Sequence, residues 1–163
     1  MKQMDEAKLL HSAAAYCSVC ERCVSEVRKK LVAAGATREM EDRIVDRLVK
    51  EGFIDEFRFC RSFVNDKFRF NCWGRIRIRY ELQRKNLPDE LIAGAVDVID
   101  EEMYRTVLLD MLRDKKRTVR GSSEQNVFHK LCRFAVGRGF ETALVVQCLK
   151  QLFKADYDTD AFE

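Results

Sequence analysis

A unit of helix, tight turn and second helix recurs three times along the chain, and this recurrence constrains the fold more than any other property. Ala36, Leu87 and Phe140 serve as anchors, 51 and 53 residues apart. Four positions on stand Met40, Leu91 and Leu144; eight on, Ile44, Ala95 and Cys148; nine on, Val45, Val96 and Leu149; twelve on, Leu48, Ile99 and Leu152. Those offsets trace one face of an α-helix. Five residues before the anchors come Leu31, Leu82 and Ala135, and nine before come Val27, Ile78 and Leu131, a second apolar pair at helical spacing. Gly35, Asn86 or Gly139 immediately precedes each anchor, and these residue types tolerate the left-handed conformation that ends a helix. Thr37 or Pro88 then suits the opening of the next helix.

A further helix precedes each pair, over about 4–18, 55–71 and 101–116. The expected architecture is therefore all-α, with three tandem three-helix repeats over residues 1–54, 55–100 and 101–154. Repeats this short cannot bury their apolar faces alone, so they are expected to stack into an elongated, curved array. The loop over 117–123 interrupts the third repeat, and the acidic tail 155–163 is expected to fray. A single proline among 163 residues argues against a turn-dense sandwich or barrel. One segment pulls the other way: Arg75-Ile76-Arg77-Ile78-Arg79-Tyr80 alternates like a strand. The repeat frame assigns it to a helix, because Ile78 and Leu82 align with Val27 and Leu31, and it leaves Ile76 partly exposed.

The net charge of +3 hides segregation. Residues 66–85 carry a local +5 from Lys67, Arg69, Arg75, Arg77, Arg79, Arg84 and Lys85 against Asp66 and Glu81. Residues 113–120 carry +4, with Lys115, Lys116 and Arg117 at their centre, so the remainder sums to −6. One face turned towards an anion accounts for this better than a solvated helix face, since surplus positive charge is otherwise only self-repulsion. Phe68, Phe70, Trp73 and Tyr80 interleave with the first basic stretch. Phe59, Phe63 and Phe68 read as core, and Trp73 as packing at a helix junction in preference to stacking on a base.

The N-terminal Met1-Lys2-Gln3-Met4-Asp5-Glu6 is unlike a secretory signal, no apolar run is long enough for a membrane, and seven cysteines read as reduced thiols; the expected compartment is the cytoplasm.

Gly52-Phe53-Ile54-Asp55-Glu56, then Arg58-Phe59-Cys60, Phe63-Val64, Gly74, Ile78-Arg79, Glu81-Leu82 and Leu87, resembles the central repeat of the RecX family, bacterial regulators of the RecA recombinase. Ser18, Glu26-Val27 and Lys30-Leu31 fit the family's first repeat, and Leu131, Arg133-Phe134 and Arg138-Gly139-Phe140 its third. The resemblance runs along nearly the whole chain. It departs at Cys23, where the family usually has a helix-capping Ser, at Asn86 for a turn glycine, and at Ile76 for a base. It implies a non-enzymatic, cofactor-free monomer that lies in the groove of the RecA–single-stranded DNA filament and inhibits ATP hydrolysis, strand exchange and co-protease activity. Single-stranded DNA, with double-stranded DNA as a further ligand, would meet Lys67, Arg69, Arg75, Arg77, Arg79, Arg84, Lys85, Lys115, Lys116 and Arg117. The runner-up is a general nucleic-acid-binding protein of tri-helical modules without a recombinase partner.

Cys17, Cys20 and Cys23 have metal-like spacing, with His11 as a conceivable further ligand. They fall at a helix junction where small half-buried residues belong, and a metal-stabilised redox sensor ranks third. His129 lies beside the Leu131/Ala135 face and reads as packing. No glycine-rich phosphate cradle, nucleophile elbow or zinc-protease helix motif is present, and adjacent acids such as Glu41-Asp42 point to different sides of a helix. An enzyme is not expected.

Overall fold

A computed structural model describes the backbone of residues 5–160 and the side chains of residues 5–156. Residues 1–4 and 161–163, with the ends of the expected first helix and acidic tail, lie outside the described residues. Nine helices and no strand occur among the described residues. They are α1 (Glu6–Val19), α2 (Val24–Ala33), α3 (Arg38–Lys50), α4 (Glu56–Arg69), α5 (Arg75–Arg84), α6 (Asp89–Asp97), α7 (Glu101–Lys116), α8 (Glu124–Gly137) and α9 (Thr142–Asp160). The alternating segment 75–80 is helical, as the repeat frame requires: Ile78 and Leu82 are fully buried, while Ile76 is 52% exposed. Helix α9 continues to Asp160, past the start of the tail expected to fray, and Lys116 pairs with Asp156 on it.

The three turns share one geometry. Gly35, Asn86 and Gly139 have φ of 88°, 61° and 99°. After each, the anchor N–H donates to the carbonyl five residues back: Ala36 to Leu31 (3.0 Å), Leu87 to Leu82 (3.4 Å) and Phe140 to Ala135 (3.2 Å). This left-handed cap satisfies otherwise orphaned carbonyls and brings the anchor against the apolar residue at that spacing. Helices α3, α7 and α8 open on side-chain caps. Thr37 Oγ1 accepts from the Met40 N–H at 3.2 Å, an Asp100 carboxylate oxygen from Met103 at 2.9 Å and Ser123 Oγ from Asn126 at 3.1 Å.

The helices form two compact units, Met1–Phe63 with Glu81–Ala95, and Val64–Tyr80 with Val96–Glu163; the residues of α4, α5 and α6 are divided between them. The first unit has a core of Leu9, Ala13, Val27, Leu31, Ile44 and Leu48 from α1, α2 and α3. Cys23 is the N-cap of α2 and is fully buried. The Glu26 carboxylate accepts its N–H at 3.2 Å, a helix-start bond that stands whichever side chain occupies the cap itself. The second unit packs α7, α8 and α9 against one another around Tyr104. This ring is fully buried, 5.7 Å from Phe68 and 5.1 Å from Phe140 between centroids.

Candidate nucleic-acid interface

In the second unit, the start of α5 is fixed by contacts that sequence spacing does not reveal. Gly74 and Gly139 meet backbone to backbone: a Cβ on Gly74 would overlap the Gly139 carbonyl, and one on Gly139 would overlap Cβ of Arg77. The Gly74 N–H donates to the Arg138 carbonyl at 2.8 Å and the Ile76 N–H to the Gly139 carbonyl at 3.0 Å. Between them, the Arg75 N–H donates to the Tyr104 hydroxyl at 3.1 Å, which itself donates to Glu141 at 2.6 Å. Burial, reinforced by the Glu141 bond, holds the Tyr104 phenol well above its usual range. The Gly74, Arg75 and Ile76 N–H groups at the start of α5 are thus spent on the end of α8 and on Tyr104.

Among the basic side chains, Arg75 stands apart. Its guanidinium lies 4.0 Å over the Tyr104 ring, donates to the Ile99 carbonyl at 3.3 Å and pairs with Glu101 at 2.7 Å. With only 14% of its side chain exposed, Arg75 braces the scaffold. Arg69, Arg77 and Arg79 differ: none has an ion pair among the described residues, and Arg69 and Arg79 are exposed. Arg77 lies 4.1 Å over the Trp73 ring and Lys67 4.9 Å over the same ring. Two cations therefore cover half-buried Trp73, in keeping with a packing role over base stacking.

The two basic stretches meet at one place. Arg69 and Lys115 line the same cavity of about 520 Å³, with Asp110, Asp114 and Thr118 on its wall. Lys115 Nζ sits 4.8 Å over Phe134. Lys116 is turned elsewhere, paired with Asp156 and 4.3 Å over Phe153. Arg117 pairs with Asp114 at 3.7 Å, both well exposed, a weak and solvated contact.

Arg84 and Lys85 belong to the first unit. Arg84 lies 3.7 Å from Glu81 and Lys85 3.4 Å from Glu26, beside a polar cavity that also takes in Lys29. Lys29 lies outside the two basic stretches, in a segment where Arg22, Arg28, Lys29 and Lys30 stand against Glu21 and Glu26. The available signal is its place two residues from both Val27 and Leu31, on the helix side away from the core.

Cys17 and Cys23 are buried and Cys20 is exposed; burial pushes the Cys17 and Cys23 thiols up, which disfavours the thiolate a metal needs. Among the described residues no group of three or more His, Cys, Asp or Glu could hold a metal ion, and no helix is long and apolar enough to cross a membrane.

Comparison with known proteins agrees with this fold. Residues 55–96 match the family described as RecX, second three-helix domain. A regulatory protein RecX of Prosthecochloris aestuarii is 28% identical over 93% of this chain and 98% of its own length. One from Clostridium beijerinckii is 27% identical over 82% of the chain, which spans only 62% of that longer relative. Among solved structures, RecX from Lactobacillus salivarius superposes with a TM-score of 0.79 at 18% identity, over 90% of this chain and 96% of that one. A second regulatory protein RecX gives 0.82 at 22% identity, over 90% and 73%. Residues 55–96 thus match the second three-helix domain of RecX, and along most of its length the chain is similar to RecX regulatory proteins and shares their fold.

Proposed function

We propose that this protein is a non-enzymatic, cytoplasmic regulator that binds in the groove of a RecA–single-stranded DNA filament and restrains its ATPase, strand-exchange and co-protease activities. One observation carries the reading: among the described residues Arg69, Arg77 and Arg79 of the second unit have no carboxylate partner, while Arg28, Arg43, Arg47 and Arg58 in the first are each paired. Cations without internal partners supply phosphate affinity that is independent of base sequence and falls steeply with salt. Arg75 contributes by locking the start of α5, which sets where Arg77 and Arg79 emerge. The Arg69/Lys115 cavity joins the second basic stretch to the first. Such a role needs no cofactor.

The test is a titration of the purified chain into RecA filaments while ATP turnover is followed. Wild-type protein suppresses turnover at or below equimolar dose. The Arg69→Glu/Arg77→Glu/Arg79→Glu variant, with unchanged helical circular dichroism, needs at least about tenfold more protein for the same effect. Undiminished inhibition removes these arginines from the interface. Equal capture of naked DNA and filament identifies a general nucleic-acid binder instead.

A further inference from the structure

Helix α2 buries Val27 and Leu31, which turns Lys29 outward into solvent with no ion pair among the described residues. Tyr16, near the end of α1, is held from two sides of the chain. The Arg22 guanidinium lies 3.9 Å over its ring and donates to its carbonyl at 3.3 Å, and Lys30 Nζ lies 4.7 Å over the same ring. The first unit's share of α5, with the residue after it, adds Arg84 and Lys85. These elements bound a polar groove of about 450 Å³, onto which Tyr16, Ser25, Lys29, Arg84 and Lys85 open.

Two carboxylates share its wall, and both are already engaged. One oxygen of Glu26 accepts the Cys23 N–H and the other lies 3.4 Å from Lys85 Nζ. Glu81 lies 3.7 Å from Arg84. Three cations, Lys29, Arg84 and Lys85, therefore line the groove against two engaged acids. A phosphate group, with several acceptor oxygens and a full charge, can take Lys29, Arg84 and the Ser25 hydroxyl together, which a lone carboxylate cannot do as well.

The geometry points to a phosphate-binding groove in the first unit, built by Lys29, Ser25 and Arg84, that grips the backbone of single-stranded nucleic acid separately from the second unit's arginines. The inference deepens the proposed function and rests on it for the identity of the strand, while the phosphate chemistry stands by itself. A small phosphate ligand offers the same chemistry, and an acidic protein segment would offer a different one.

The experiment measures binding of the full chain to a fluorescently labelled oligothymidylate by anisotropy across a salt series. For a single strand, removing one cation that neutralises a phosphate lowers the slope of log affinity against log salt by about 0.7. Lys29→Ala, at an exposed position, should lower it by that amount, and Lys29→Ala/Arg84→Ala by about 1.4. An unchanged slope in both variants overturns the groove, as does failure of the wild-type chain to bind the strand at low salt. Displacement of the strand by equimolar inorganic phosphate reassigns the groove to a small ligand, and displacement by equimolar polyglutamate reassigns it to an acidic partner; either overturns the strand. The ATP-turnover titration separates the two ideas: a Lys29-dependent slope without RecA inhibition keeps the groove and removes the function, and inhibition with an unchanged slope does the reverse.

Discussion

The turn at Asn86 and the turn at Gly139 are the same device in two settings. Both hold a positive φ, 61° and 99°, and both close with an N–H donated to the carbonyl five residues back. Asn86, in the first unit, is exposed. Gly139, in the second, is buried under the start of α5, where a Cβ would overlap Arg77. At Asn86 the chain needs only a residue that accepts the left-handed region, and Asn does so at modest cost. At Gly139 it needs the absence of a side chain. Positions equivalent in the repeat thus tolerate different substitutions, because one is defined by its own backbone and the other by its neighbour.

The largest effect expected from this contrast is at the paired glycines. Gly139→Ala combines left-handed strain with overlap on Arg77, and should destabilise the second unit by about 3 kcal/mol or more, read as a fall in the thermal midpoint. Gly74→Ala separates the causes. Gly74 has no positive φ, yet its Cβ would strike the Gly139 carbonyl, so steric overlap alone should cost nearly as much. A mild Gly74→Ala would show that φ at Gly139, and not close approach, sets the requirement.

This contrast also marks how far the sequence could be read. Offsets from Ala36, Leu87 and Phe140 located both helices of every pair and the turns between them, because helix periodicity and left-handed caps are local rules. The start of α5 was not legible in the same way. Gly74 meets Gly139 across 65 positions of sequence, and Tyr104 reaches both Arg75 and Glu141. Local patterns encode neither contact. The candidate site suffered for the same reason: counting charge over residues 66–85 could not show that Arg75 faces Tyr104 and Glu101 while Arg77 and Arg79 have no ion pair among the described residues. Cys72 gave no signal either, since its φ of 53° belongs to a residue type that rarely adopts it.

A smaller effect is expected where the same junction depends on one hydroxyl. Tyr104→Phe keeps the ring between Phe68 and Phe140 but removes the bonds to the Arg75 N–H and to Glu141, at a cost of about 1–3 kcal/mol at neutral pH. Because burial raises the folded-state phenol pKa above its unfolded value, the hydroxyl's contribution is complete below the ordinary tyrosine range and is lost as pH rises beyond it. Chemical denaturation of wild type and Tyr104→Phe across neutral to alkaline pH should therefore converge. A gap that stays constant would mean the hydroxyl does not titrate with folding, and that the brace on Arg75 is purely one of shape.

The smallest effect belongs to the exposed turn, and it is the one that most directly challenges the comparison. Asn86→Gly relaxes the left-handed strain and at the same time enlarges the freedom of the unfolded chain; these oppose each other, leaving a net change within about 0.5 kcal/mol. Asn86→Ala keeps the strain and loses the side chain that tolerates it, and should cost about 1 kcal/mol. Both are measured by urea midpoints at constant slope. If Asn86→Ala proves as damaging as Gly139→Ala, a neighbour must press on Asn86 as Arg77 presses on Gly139, and the two turns would be alike in cause as well as in geometry. If it costs about a third as much, the difference between them is the contact made by the start of α5, the segment that carries Arg77 and Arg79.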